Sequence, residues 1–414
     1  MKFYKVYNAS VMKSNTKDKI SDINKRIKEK VSATPLGVNG VAVGTMGIAN
    51  TGTFLLDLLY KQLNLNYFNI RYVQLTLQII CISICIFYIS LTCLRYIMNK
   101  KQIWEELKIP HVAGMVGVLF LSLCILGNSF GWIYANFITD AKTRYILLIG
   151  PNILVFTTTL CQICYMILFI KIVLIKKEVM RGEAFASWFV PLIGLGLSTA
   201  YANDLGDLIP LYYWQIIWFV AFGMFLVMYP FVFYKFLFKP HSRESDIPSM
   251  AIFASPANML ASGFLVSFSP HRGDLTVIPQ IIGKSDHLTM TLFNNDAFFQ
   301  VVTIILFCYG AVSVALYYSI LIKSLKLWKY NLSWTSLTFP ASISASGTIH
   351  FALFYFNEAR FDAIRITLIT IGLVLFTTSL ILTIFVNVKY GKIMYNIWIK
   401  NELKPTPKKL QPAK

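Results

Sequence analysis

"YNLSWTSLTFPASISASGTIHFALFYF", residues 330–356, is the stretch on which the reading of this chain turns. It is long enough to cross about 30 Å of hydrocarbon, which takes roughly 20 residues of helix. Yet Phe339 and Pro340 stand a third of the way in, Ser342, Ser344, Ser346, Gly347 and Thr348 follow, and His350 comes near the end. A helix serving only as an anchor would use Leu and Ile throughout. Proline frees a carbonyl and bends the axis, and lipid has no donor for that carbonyl. Irregular backbone at membrane depth belongs where protein or a water-filled cavity surrounds it. The stretch predicts a span in the interior of a helical bundle.

The rest of the chain gives that bundle its members. Of 414 residues, 56% are hydrophobic and only 14% charged, against about 25% charged in soluble proteins. Ten apolar blocks stand out: 34–57, 71–97, 109–130, 145–175, 188–204, 209–238, 247–268, 297–322, 334–357 and 364–388. The pattern predicts an all-α polytopic membrane protein with a basic tail (1–33), a membrane unit (34–390) and a second basic tail (391–414). The first tail is Lys-rich without an apolar core, unlike a signal peptide.

The net charge of +19 is distributed by topology. With the N-terminus inside, cytosolic segments hold 30 of the 38 Lys and Arg, while Asp and Glu split ten to nine. This positive-inside bias predicts both termini in the cytosol. A nucleic-acid reader needs a contiguous basic face, and these loops are short and scattered. All seven cysteines fall inside predicted spans, and Cys161-x-x-Cys164 has no second pair, so they read as small residues buried in the membrane.

The spans alternate in kind. Odd-numbered spans carry proline near their starts (Pro35, Pro110, Pro191, Pro248 with Pro256, and Pro340), and hold twelve glycines against four in the even spans. Even spans are smooth, as in "QLTLQIICISICIFYISL". Proline at a helix start is ordinary and suffices for Pro35, Pro110 and Pro248; Pro256 and Pro340 sit deeper and predict kinks. Gly37, Gly40, Gly44 and Gly47 recur on one helix face, which permits close packing. The expectation is five helical hairpins, with odd helices lining a central axis and even helices facing lipid.

What the axis carries follows from what it lacks. Intramembrane charge is expensive and kept for function, and no carboxylate falls at the midplane of an odd span. Cation selection and carboxylate-based proton coupling are therefore disfavoured. Helix starts directed at one vestibule favour anions, and hydroxyls such as Thr45, Ser255 and Ser262 can donate to one. His350 reads equally as a basic group near the outer mouth or as an interfacial histidine. Phe339, just before the kink, reads either as a plug in a narrow bore or as a ring packed between helices.

At this point the motifs carry a resemblance. "ATPLGVNGVAVGTMGIANTG" in the first span, "IPHVAGMVGVLF" in the third, "WFVPLIGLG" in the fifth, "PSMAIFASPANMLASG" in the seventh and "SWTSLTFPASISASGTI" in the ninth are the ordered set. With them the chain, over roughly 34–390, resembles the tellurite-resistance/dicarboxylate transporter family. That family includes bacterial tellurite-resistance proteins, plant slow-type anion channels, yeast malate permeases and fungal sulfite pumps. The resemblance implies an anion channel rather than an enzyme, five inner helices around a pore, and a homotrimer in the plasma membrane. It implies that Phe339 occludes the pore, with Pro35, Pro110, Pro191, Pro256 and Pro340 kinking the pore helices. Gly40, Gly44, Thr45, Ser262, Ser342, Ser346 and His350 are the pore-lining candidates.

The expected partners are the lipid bilayer and small anions, chloride, nitrate or a dicarboxylate, with no nucleic acid, cofactor or metal. The alternative within the family is a proton-coupled carrier or exporter of malate, sulfite or tellurite. A ten-span exporter of two inverted halves need not produce a two-helix rhythm. An intramembrane enzyme would need motifs such as H-E-x-x-H or G-x-S-x-G, and neither occurs. The loop 269–296 is longer than the family pattern requires, and no role is assigned to it.

Overall fold

The computed structural model describes residues 23–63, 67–176, 182–200, 205, 208–238, 244–268, 296–327, 330–355 and 362–400. Most of the 269–296 loop, the first 22 residues and the end of the second tail lie outside the described residues. Every regular element among the described residues is helical. Eight helices are long and apolar enough to cross a membrane. The protein is an integral, multi-pass, all-α membrane protein.

The fifth and ninth of the ten expected spans are not among those eight. The fifth is a turn of 3-10 helix at Ala186–Trp188 and two five-residue helices, Phe189–Ile193 and Gly196–Ala200. The ninth is a 3-10 stretch, Leu332–Leu337, running into the helix Thr338–Tyr355. The tenth runs from Asp362 to Trp398, beyond the expected end at 388. At about 1.5 Å per residue its 37 residues exceed the hydrocarbon thickness. Lys30 Nζ donates to the Trp398 carbonyl at 2.8 Å, so a helix over residues 23–33 of the first tail meets the far end of the last helix.

The alternation is a division between inner and outer helices. In the apolar windows of the first, third and seventh spans, 78, 72 and 100% of residues are buried, against 28–44% in the five even spans. In the ninth, every residue from Trp334 to Ile349 is buried. The inner helices close a ring in chain order, the ninth packing on both the seventh and the first. Each outer helix fills the groove between its own inner partner and the next, and the tenth returns to the first. Exposed large apolar side chains such as Ile80, Phe87, Ile153, Val227, Val312 and Ile381 lie on the outer helices, where lipid covers them.

Lipid tails are as apolar as Leu, so close packing and hydrogen bonds hold such helices together. The glycine face of the first span meets the ninth: Gly40 lies against Thr335, Gly44 against Thr338, and Gly47 against Ser342. Gly37 lies against Tyr390 of the tenth. At the ends, Asp140 caps the fourth span by accepting from Thr143 N at 2.8 Å, and its bonds to Thr143 hold its carboxyl below the usual carboxylate range.

The prolines stand differently from the expectation. Residues 244–254 of the seventh span are 3-10 helix, and its α-helix begins at Ser255; in the ninth the α-helix begins at Thr338. Pro256 and Pro340 therefore occupy the first α-helical turn, as Pro110 does in the third. The irregularity is a change of helix type before the proline. Proline suits it, because the first turn of an α-helix has no intrahelical use for its N–H.

Candidate functional site

The irregular backbone of the inner ring is satisfied by the outer ring. Tyr317 OH, from the fully buried face of the eighth span, donates to Leu337 O at 2.7 Å. Leu337 ends the 3-10 stretch, so the phenol ties the outer ring to the junction at which the α-helix of the ninth span begins. Ser379 Oγ of the tenth span donates to Thr338 O at 2.9 Å. Tyr165 OH reaches Ala113 O beside the interruption at Gly117. Gln162 Nε2 reaches Val190 O at 2.9 Å beside the break in the fifth span, and Trp218 Nε1 reaches Leu260 O at 2.9 Å. Buried carbonyls need such partners in lipid, and here each comes from a neighbouring helix.

Where these interruptions face one another the ring encloses a cavity of about 60 Å³. All 17 residues on its wall belong to the five inner spans, and every inner span contributes. They recur at helical spacing: Gly40 and Val43; Met115, Val118 and Leu121; Phe189, Val190, Ile193 and Gly194; Ile252, Ser255, Pro256 and Met259; Thr335, Ser336, Phe339 and Pro340. None of them is ionisable. With roughly 10–15 Å³ needed per water, the space holds a few waters or one small ion.

Phe339 lies on that wall and is 9% exposed. A Cβ on Gly47 would stand 3.3 Å from Phe339 Cδ2 and 2.8 Å from Ser342 Oγ. The ring thus uses the space that the glycine of the first span leaves open.

The other expected lining residues divide. Gly40 shares the cavity wall with Phe339, Pro256 and Pro340. Gly44 abuts Thr338. Thr45 turns toward the tenth span, bonding Val41 O at 2.8 Å and accepting from Asn387 Nδ2 at 3.0 Å. Ser342 pairs with Thr51 at 3.1 Å, and Ser344 accepts from Asn258 Nδ2 at 2.9 Å. Ser262 Oγ meets His350 Nδ1 at 2.7 Å, and the histidine ring lies 4.6 Å from that of Phe54. Ser346 is buried; Pro35 precedes the helix of the first span, and Pro191 lies inside Phe189–Ile193.

Ser336, on the cavity wall, was not among the candidates from sequence. Counting back one helical turn from Phe339 reaches Ser336 and Thr335, so periodicity alone could have found it.

On the side where the chain enters the bundle, a buried ion pair ties three elements together. Arg95, ending the second span, pairs with Glu106 on the linking helix Lys100–Leu107 and donates to Thr34 O at 2.6 Å, next to Pro35. Tyr96 OH and Gln102 Nε2 also reach Glu106. Burial pushes the Glu106 carboxyl above the usual range, with Arg95 opposing.

Compared with known families, residues 35–389 match the sequence model described as SLAC1, voltage-dependent anion channel. The chain belongs to this family. The match spans nearly all of the membrane unit and agrees with the family that the five motifs resemble. Membership makes the protein an anion channel or transporter of the tellurite-resistance/dicarboxylate transporter group; members of the SLAC1 family carry anions across membranes and are not enzymes. No individual curated protein matches.

Proposed function

We propose that this SLAC1-family protein is a gated, passive channel for small inorganic anions such as chloride and nitrate, with Phe339 as its gate. The observation that carries the reading is the position of the Phe339 ring on a cavity to which all five inner helices contribute and which no carboxylate lines. Uncharged walls bind an ion loosely, which suits throughput, and no coupling carboxylate stands on the cavity for proton-driven transport. The adjacent change from 3-10 to α-helix at Leu337–Thr338 provides a joint about which the ring can swing.

The test is chloride and nitrate efflux from proteoliposomes, wild type beside Phe339→Ala. The expected result is near silence in wild type and efflux at least about tenfold faster in the variant, without a proton gradient. If both are silent to inorganic anions but accumulate malate or sulfite when a proton gradient is imposed, the protein is a carrier and the channel reading fails.

The same reading places both termini in the cytosol, supported by the 30 of 38 basic residues on that side. A homotrimer in the plasma membrane follows from family resemblance, and native mass spectrometry of the detergent-solubilised protein tests the trimer.

A further inference from the structure

We infer that Ser255 and Ser336 are a pair of anion-coordinating hydroxyls on the wall of the Phe339 cavity, which favours monovalent, weakly hydrated anions over dianions. This rests on the reading of that cavity as the anion pathway.

Both serines lie on the cavity wall, 8% and 6% exposed, on the seventh and ninth spans. Neither hydroxyl has a hydrogen-bond partner among the described residues. Their neighbours do: Thr335 bonds Leu332 O, Thr338 bonds Thr335 O, Ser342 pairs with Thr51, and Ser344 with Asn258. A serine or threonine in a membrane helix ordinarily bonds the carbonyl three or four residues back, as Thr335, Ser122 and Ser324 do here. For Ser336 the carbonyl four residues back, Leu332 O, already accepts from Thr335 Oγ1 at 3.1 Å and from Tyr390 OH at 3.2 Å, and its hydroxyl makes no bond to the carbonyl three residues back either. A carbonyl oxygen has two lone pairs, so Leu332 O has none left for Ser336. Leaving a buried hydroxyl unpaired is costly, and two on one cavity point to an occupant that accepts hydrogen bonds.

The chemistry of the wall narrows that occupant. The donors are two neutral hydroxyls, with no cation beside them, and Val43, Val118, Ile193, Ile252 and Phe339 make the surroundings apolar. Such a wall replaces little of an ion's hydration shell. Nitrate and iodide, which shed water readily, enter more easily than chloride, and chloride far more easily than sulfate or a dicarboxylate. The volume of about 60 Å³ suits one small anion. Ser336 stands one turn before Phe339, so anion and gate share a helix face.

The experiment uses the full chain carrying Phe339→Ala, so that the ring does not limit exchange. Binding is read as chloride NMR line broadening with nitrate as competitor, and selectivity as reversal potential under a nitrate/chloride gradient. Ser255→Ala/Ser336→Ala is expected to weaken the broadening about tenfold. It should also lower chloride current and raise the nitrate-to-chloride permeability ratio, because chloride depends more on replacement donors. Ser255→Thr/Ser336→Thr, which keeps both hydroxyls, should restore both readouts, and the single Ala variants serve if the double one is not monodisperse. Unchanged broadening and ratio in the Ala variants would mean that water alone fills the pair, and the inference is overturned while the channel stands. Serine-dependent broadening without any current would leave the site standing and remove the channel reading.

Discussion

The ninth and tenth helices are consecutive, packed along one another, and opposite in kind. From Trp334 to Ile349 the ninth is wholly buried, although proline, serine and glycine make it the less apolar of the two. The tenth is richer in Leu and Ile, and exposes Ile366, Ile371, Val374, Ile381, Ile384 and Val388. In a soluble protein the more apolar helix would be the buried one. In a bilayer, hydropathy reports contact with lipid, and small polar residues mark the protein's own interior, where backbones approach and hydroxyls find partners.

The contrast can be broken most severely through its glycines. A Cβ on Gly347 of the ninth helix would stand 2.9 Å from the backbone oxygen of Asn258, whereas one on Gly223 of the outer sixth span meets nothing within 4 Å. Gly347→Val is expected to cost more than the roughly 1–3 kcal/mol of ordinary overpacking, because backbone cannot move aside as a side-chain tip can. Size-exclusion chromatography should show folded protein lost. Gly223→Ala should leave it intact and gain up to about 1 kcal/mol of helix stability; equal loss in both would dissolve the inner–outer distinction.

Charge gives the second comparison. Arg95 and Glu106 have side chains 9% and 10% exposed, while Arg365 and Asp362 at the start of the tenth helix are 31% and 50% exposed. Arg95→Ala strands a buried carboxylate, at about 3–5 kcal/mol. Arg365→Ala should cost no more than about 1 kcal/mol. Denaturant titration of the purified variants measures both, and a small effect at Arg95 would show that its network is dispensable.

The smallest expected change sharpens the link between the rings. Tyr317→Phe removes only the hydroxyl bonded to Leu337 O, a loss of about 1 kcal/mol. Because that carbonyl lies two residues before Phe339, basal chloride efflux should rise, though far less than with Phe339→Ala. Unchanged efflux would mean that the outer ring holds the backbone without influencing the ring.

Much of this architecture was legible in the residues. The proline and glycine rhythm separated the inner helices from the outer ones, and the glycine face at 37, 40, 44 and 47 pointed at a close helix contact. The depth of Pro256 and Pro340 in the sequence predicts kinks, whereas each stands in the first turn of an α-helix that follows a 3-10 stretch. Residues 250–268 and 334–349 are buried on every side, so the change of repeat from 3-10 to α-helix has no polar face to reveal it, and a proline in the first α-helical turn looks in sequence like one in the middle.

Membrane class and the inner–outer division were determined by the sequence itself, since apolar length and small-residue content act locally on each helix. Tertiary structure alone decided which hydroxyls remain unpaired on the cavity wall. Thr45, Ser262, Ser342 and Ser344 bond to neighbouring helices, while Ser255 and Ser336 stay unpaired on the cavity wall. Whether a serine finds an acceptor depends on how its helix is rotated against the next, and composition does not specify that rotation.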